Sequence, residues 1–137
     1  DDGVRVNVTL IFNAAQAILS AKAGATYVSP FIGRLDDNSV AGLEVIRSIA
    51  EVYKVQQVKK TQILAASIRD VYKVSRAFWN GANIVTMPPK IFEGMYNHIL
   101  TDKGLEIFDK DYQDSKKSVF NPPPFATTKH GKDLDSF

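Results

Sequence analysis

Serine and arginine recur together twice in this chain, as Ser29 followed by Arg34 and as Ser67 followed by Arg69, each time at the end of a short apolar run. That pairing suits a phosphate, because a guanidinium offers parallel N–H donors in a planar fork and a hydroxyl adds one more. A further polar set, Asn7 and Thr9, lies inside the apolar run Asn7-Val8-Thr9-Leu10-Ile11-Phe12. Polar groups inside a strand cost stability unless hydrogen-bonded, so this set indicates either a pocket or a polar network in the core. Plainer alternatives stand beside these. Arg34 could pair with Asp36 or Asp37 on the surface, and both arginines could be solvated charges.

The elements that must hold these residues follow from periodicity. Apolar runs of strand length, at residues 4–12, 25–30, 61–67 and 84–87, alternate with helical patterns. The first helix is expected from an Asn13 N-cap, with Gln16 three residues on, to Gly24. A second is expected over 39–53, with Leu43, Ile46, Ile49, Ala50 and Tyr53 at helical spacing, and a third from Asp70 to about Asn80, stopped by Gly81. After Pro88-Pro89 comes a last helical region, broken near 101–104 and ending around Lys116. The segment through Gly33-Arg34 and Asp36-Asp37 reads as a loop.

Four βα units in a row predict an α/β fold with a parallel sheet. A flavodoxin-like layer would satisfy the pattern as well as half of a TIM (β/α)8 barrel would. Polar side chains at inward-facing positions favour the barrel, as does the lack of a glycine-rich loop after the first strand. Alternation along that strand puts Asn7, Thr9 and Ile11 on one face and Val6, Val8 and Leu10 on the other. Ligands of a βα repeat sit at the carboxyl ends of its strands, where Ser29, Arg34, Ser67 and Arg69 fall. Neighbouring strands lie about 5 Å apart, so two long arginines can converge on one dianion.

Composition narrows the class. A formal net charge of +2 is too small to argue for nucleic acid. No apolar run reaches the roughly 18 residues of a membrane span. The absence of cysteine excludes disulfides and thiolate metal sites and fits a cytoplasmic enzyme; no metal and no cofactor are expected. His98 and His130 read as packed or solvated, Asp109, Asp111 and Asp114 as a solvated helix face, and Lys90 as part of a helix first turn. The 137 residues fall short of the roughly 200 to 250 of a closed barrel, and Asp1-Asp2-Gly3-Val4 reads as the last turn of a helix feeding a strand, so a fragment is expected. Residues 1–117 are expected to form the partial barrel and 118–137, with Asn121-Pro122-Pro123-Pro124, a flexible tail.

The strings Asn7-Val8-Thr9-Leu10-Ile11-Phe12, Gln16-Ala17, Ala23-Gly24-Ala25, Ser29-Pro30-Phe31-Ile32-Gly33-Arg34 and Ala66-Ser67-Ile68-Arg69 together resemble the second half of a transaldolase, near the small transaldolase and fructose-6-phosphate aldolase branch. The resemblance spans about residues 2–116. It implies strands 5–8 of a class I aldolase-type barrel with helices on the outer face. In such enzymes a lysine on the fourth strand forms a Schiff base with a ketose phosphate, and a dihydroxyacetone unit passes to an aldose phosphate in the pentose phosphate pathway.

By the same resemblance, Asn7 contacts the hydroxyls of the dihydroxyacetone unit, Thr9 holds the water used in proton transfer, and Ser29 contacts the substrate. Arg34, Ser67 and Arg69 bind its phosphate. Phe31 stands where fructose-6-phosphate aldolases carry a tyrosine able to act on a proton, which favours transfer over cleavage; Ile68 stands where the family usually has a phenylalanine. The Schiff-base lysine falls upstream of Asp1, so this chain alone is expected to be inactive. Its expected partners are sugar phosphates and, through open sheet edges, further copies of itself in a homo-oligomer. Two alternatives remain beside this: a non-catalytic sugar-phosphate-binding half-barrel, and a fructose-6-phosphate aldolase-like lyase.

Overall fold

The computed structural model describes residues 3–120. These divide into two units, one running through Tyr96 and one starting at Asn97. The first holds β1 (Asn7–Ile11), α1 (Ala14–Lys22), β2 (Tyr27–Pro30), α2 (Ile32–Asp37), α3 (Gly42–Val55), β3 (Gln62–Ala65), α4 (Val71–Trp79), β4 (Ile84–Val85) and α5 (Pro89–Tyr96); the second holds α6 (Ile99–Phe120). The four strands are parallel and lie in the order β1-β2-β3-β4, the sequential sheet that four consecutive βα units predict.

Helix α1 packs against α3, α3 against α4 and α4 against α5, while α1 also meets β1 and β2, and α3 meets β2 and β3. Helices α1, α3 and α4 therefore line up along one side of the sheet. Between them lies a core of Val28, Ile63 and Ala65 from the strands and Ile46, Ile49, Val74 and Ala77 from the helices. Full burial of each isoleucine or valine contributes about 1.5–3 kcal/mol. Tyr53 ties two helices together, its hydroxyl donating to the Ala17 carbonyl at 2.6 Å.

Local signals place the helix ends. Asn13 Oδ1 accepts from the Gln16 N–H at 2.9 Å, and Gln16 Oε1 accepts from the Phe12 N–H at 2.8 Å, so both ends of the cap are satisfied. Gly24 closes α1 at φ +90°. Asp70 accepts from the Lys73 N–H at 2.8 Å, and Gly81 at φ +108° follows α4.

Three expectations need correction. Strand β1 is not regular: Asn7 pairs with Tyr27 and Val8 with Val28, but the next partner of β2 is Ile11 opposite Pro30, one residue too far along. This is a bulge, with Leu10 at φ +57°. It returns Ile11 to the helix-side core with Val8 and leaves Leu10 exposed, so Ile11 does not share a face with Asn7 and Thr9. Second, the segment expected as a loop is helix α2, whose Ile32 and Leu35 are buried one helical turn apart. Third, the break expected near 101–104 falls at 97–98, where His98 Nδ1 accepts from the Leu100 N–H at 3.1 Å; Gly104 lies inside α6. That helix runs past residue 117, and most of the expected tail, His130 included, lies outside the described residues.

Candidate functional site

On the face of the sheet opposite the helices, β1 and β2 bring two of the expected site residues together. Asn7 is opposite Tyr27, and Ser29 shares the parity of Tyr27. The Ser29 hydroxyl donates to Asn7 Oδ1 at 2.7 Å. Ser29 is only 2% exposed, so its hydroxyl needs this partner. With Oδ1 accepting, the Asn7 amide nitrogen is left as a donor with no protein partner among the described residues. Thr9 lies within the bulged stretch between Val8 and Ile11 and is exposed.

The ends of β2 and β3 meet one step further along. Phe31 bridges to Ala66, the Ile32 N–H donates to the Ala66 carbonyl at 3.0 Å, and the Gly33 N–H donates to the Ser67 carbonyl at 3.0 Å. Ser67 adopts φ +59°, a left-handed conformation that serine takes at a cost of about 1–2 kcal/mol. The approach at Gly33 is close: a β-carbon there would stand 2.4 Å from the Ser67 carbonyl oxygen, 2.6 Å from Arg69 Nε and 2.7 Å from Ser67 Oγ. A glycine is required for the backbones to come this near. Ser67 and Arg69 thus converge at Gly33, and Arg34 is the next residue along the chain.

The two arginines are held differently. The Arg34 guanidinium lies over the Phe31 ring, 5.0 Å from its centroid, and Phe31 packs edge-to-face on Phe12 at 6.3 Å. Arg69 makes a bidentate pair with Asp37, Nη1 donating to Oδ1 and Nη2 to Oδ2, the latter at 2.7 Å. The hydrogen bond from Arg69 holds the Asp37 carboxyl below the ordinary carboxylate range, and Asp37 in turn raises Arg69. Asp36 turns elsewhere, pairing with Lys73 and accepting from the Gly42 N–H at 3.0 Å. The surface pair considered for Arg34 therefore exists, but it belongs to Arg69.

The sequence pattern did not mark Asp37 as a partner of Arg69 and placed Gly33 only in an expected loop. No local signal marks a contact between residues so far apart in the chain. Lys90 lies in the first turn of α5, as expected, and Asp109, Asp111 and Asp114 are exposed along α6. Among the described residues no group of acidic or histidine side chains could hold a metal ion, and no helix is long and apolar enough to cross a membrane. A surface groove of about 800 Å³, lined by Glu44, Arg47, Tyr72 and Arg76 of α3 and α4, contains none of the expected site residues.

A family model described as transaldolase/fructose-6-phosphate aldolase matches residues 1–137. A probable transaldolase of Paracoccus denitrificans is 53% identical over 117 residues, 85% of this chain and 54% of the relative. One of Brachyspira hyodysenteriae is 52% identical over 112 residues, 82% of this chain and 51% of the relative. The chain thus spans about half the length of the curated relatives it matches. Among solved structures, a flavocytochrome b2 variant with pyruvate bound superimposes with a TM-score of 0.53 at 20% identity, over 62% of this chain and 23% of that one, a likeness of fold alone. Matched along its whole length by the family model and at about half its residues by named relatives, this chain belongs to the transaldolase/fructose-6-phosphate aldolase family.

Proposed function

We propose that the full-length enzyme is a cytoplasmic transaldolase of the pentose phosphate pathway, and that this chain is strands 5–8 of its barrel. The reaction moves a dihydroxyacetone unit from sedoheptulose 7-phosphate to glyceraldehyde 3-phosphate, giving fructose 6-phosphate and erythrose 4-phosphate. The Schiff-base lysine belongs to the half that precedes β1, and this chain supplies the phosphate end of the pocket. One observation carries the assignment: Ser67 Oγ and Arg69 Nε meet at the bare Cα of Gly33, so the ends of β2 and β3 present a hydroxyl and a guanidinium at one place.

The other residues take roles consistent with their surroundings. Because Asn7 Oδ1 accepts from Ser29, the amide nitrogen is the group that donates to a hydroxyl of the bound three-carbon unit. Ser29 fixes that orientation and borders the substrate. Thr9, exposed beside Asn7, holds the water that carries the proton. Phe31 offers no hydroxyl to act on a proton, which supports transfer to an acceptor rather than net aldol cleavage. Arg34, Ser67 and Arg69 grip the phosphate, and the two guanidinium charges oppose its dianion.

The test is steady-state kinetics on the full-length enzyme. Replacing Arg34 or Arg69 by alanine is expected to weaken binding of phosphorylated substrate by about 1.5–3 kcal/mol, roughly tenfold to a hundredfold. Unphosphorylated dihydroxyacetone as donor should be affected far less. Equal losses on both substrates would show that these arginines serve the fold and not the phosphate.

A further inference from the structure

We propose that Asp37 is the positioning residue of the phosphate site, holding Arg69 by one edge of its guanidinium so that the other edge is turned to the substrate. This rests on Arg69 being a phosphate ligand, as argued above. A guanidinium has two usable forks, an end-on one formed by Nη1 and Nη2 and a side-on one formed by Nε and Nη2. Asp37 takes the end-on fork with both carboxylate oxygens. The side-on edge remains: Nε lies at Gly33 beside the Ser67 hydroxyl, and among the described residues it has no protein acceptor.

The short helix α2 is what makes this arrangement possible. Its first turn supplies Gly33, against which Arg69 packs, and its last residue supplies the carboxylate that takes the far end of the same side chain. Asp36 does not compete for Arg69, because Lys73 and the Gly42 N–H occupy it. The Arg69–Asp37 pair is about half exposed on both sides, and such pairs contribute little to the fold. Its consequence lies elsewhere: a long side chain that would otherwise sample many rotamers is ordered before the phosphate arrives, and ordering of that kind is a cost ligand binding must otherwise bear.

A double-mutant cycle on the full-length enzyme tests this, read through the inhibition constant of inorganic phosphate and through KM and kcat for a phosphorylated acceptor. Asp37→Asn should raise the inhibition constant and KM roughly three- to tenfold while kcat stays within about twofold; in an Arg69→Ala background the same substitution should change them by less than about twofold. Phosphate binding that is unchanged or tighter in Asp37→Asn would overturn the proposal, the tighter result marking the carboxylate as a repulsive neighbour. An equal loss in the Arg69→Ala background would also overturn it, by showing that Asp37 acts through the fold. If Arg69→Ala alone left phosphate binding intact, the phosphate role of Arg69 would fall and this inference with it. A loss in Arg69→Ala beside a silent Asp37→Asn sinks only the present inference.

Discussion

Replacing Gly33 by alanine sets two magnitudes against each other. Gly33 lies within α2 and has no left-handed φ, so on helix propensity alone alanine should stabilise by about 0.5–1 kcal/mol. The added β-carbon, however, would stand 2.4 Å from the Ser67 carbonyl oxygen, 2.6 Å from Arg69 Nε and 2.7 Å from Ser67 Oγ. Arg69 can swing its side chain away at little cost, but the carbonyl is backbone, and it accepts the Gly33 N–H at 3.0 Å. Moving it stretches that hydrogen bond and loosens the junction of β3 with α2. Overpacking of this kind typically costs 1–3 kcal/mol, and a weakened hydrogen bond adds up to about 1 kcal/mol. The net expectation is a loss of roughly 1–3 kcal/mol, together with weaker phosphate binding, because both displaced groups belong to the proposed phosphate site. Urea unfolding at constant m-value gives the first quantity and inhibition by inorganic phosphate the second. A midpoint equal to or above that of the unsubstituted protein would refute the close approach and the cradle built on it.

Two further outcomes are expected. Gly104→Ala should act in the opposite sense, stabilising α6 by roughly 0.5–1 kcal/mol as read by thermal unfolding, because Gly104 is mid-helix and nothing stands within 4 Å of the added carbon; a loss of stability would mean that the helix is not continuous there. Tyr53→Phe should cost about 1 kcal/mol at neutral pH through the lost bond to the Ala17 carbonyl. Burial pushes the Tyr53 hydroxyl up to about 12, above its ordinary 10.0, so the stability linked to it is complete below pH 10 and declines as pH rises through 12. The advantage of the Tyr53 protein in urea midpoint should therefore hold from pH 8 to about pH 9.5 and be lost between pH 10 and pH 11.5, and a constant gap would contradict the linkage.

Features decided within one turn of chain were legible in the sequence. Asn13 with Gln16, Asp70 with the Lys73 N–H, and the left-handed Gly24 and Gly81 all act over a few residues, and each formed as expected. So did the sequential parallel sheet, since strands and helices alternate at lengths that leave few other topologies. The bulge in β1 was hidden because Leu10 and Ile11 are both apolar, and an apolar run carries no parity mark to show where an extra residue enters. Helix α2 spans only 6 residues, too few for its two buried side chains to register as a period. Gly104 suggested a helix break on propensity, yet a 22-residue helix carries one glycine for about 1 kcal/mol. In the site, strand parity put Asn7 and Thr9 on one face but did not mark the bond between Asn7 and Ser29, and the Arg69–Asp37 pair joins residues 32 positions apart and depends on a helix that sequence pattern did not reveal.

The departures from regular geometry gather where the proposed ligand groups are. Leu10 at φ +57° falls near the end of β1, Ser67 at φ +59° lies just past β3, and the close approach at Gly33 comes at the exit from β2. Ser39 and Gln57 also have positive φ, but they follow the ends of α2 and α3, where such residues commonly close a helix. No helix end explains Leu10 or Ser67. The left-handed conformation at Ser67 would cost less with glycine or asparagine, and neither would bring a hydroxyl beside Arg69 Nε. In parallel α/β sheets the carboxyl ends of the strands are where ligands bind, and strain held there against cheaper alternatives fits residues placed for contact with substrate. Ser67→Gly separates the two demands placed on that position. Relief of the left-handed strain should hold or slightly raise the urea midpoint, while loss of the hydroxyl should weaken phosphate binding by about 1–2 kcal/mol; intact phosphate binding in that variant would remove Ser67 from the site.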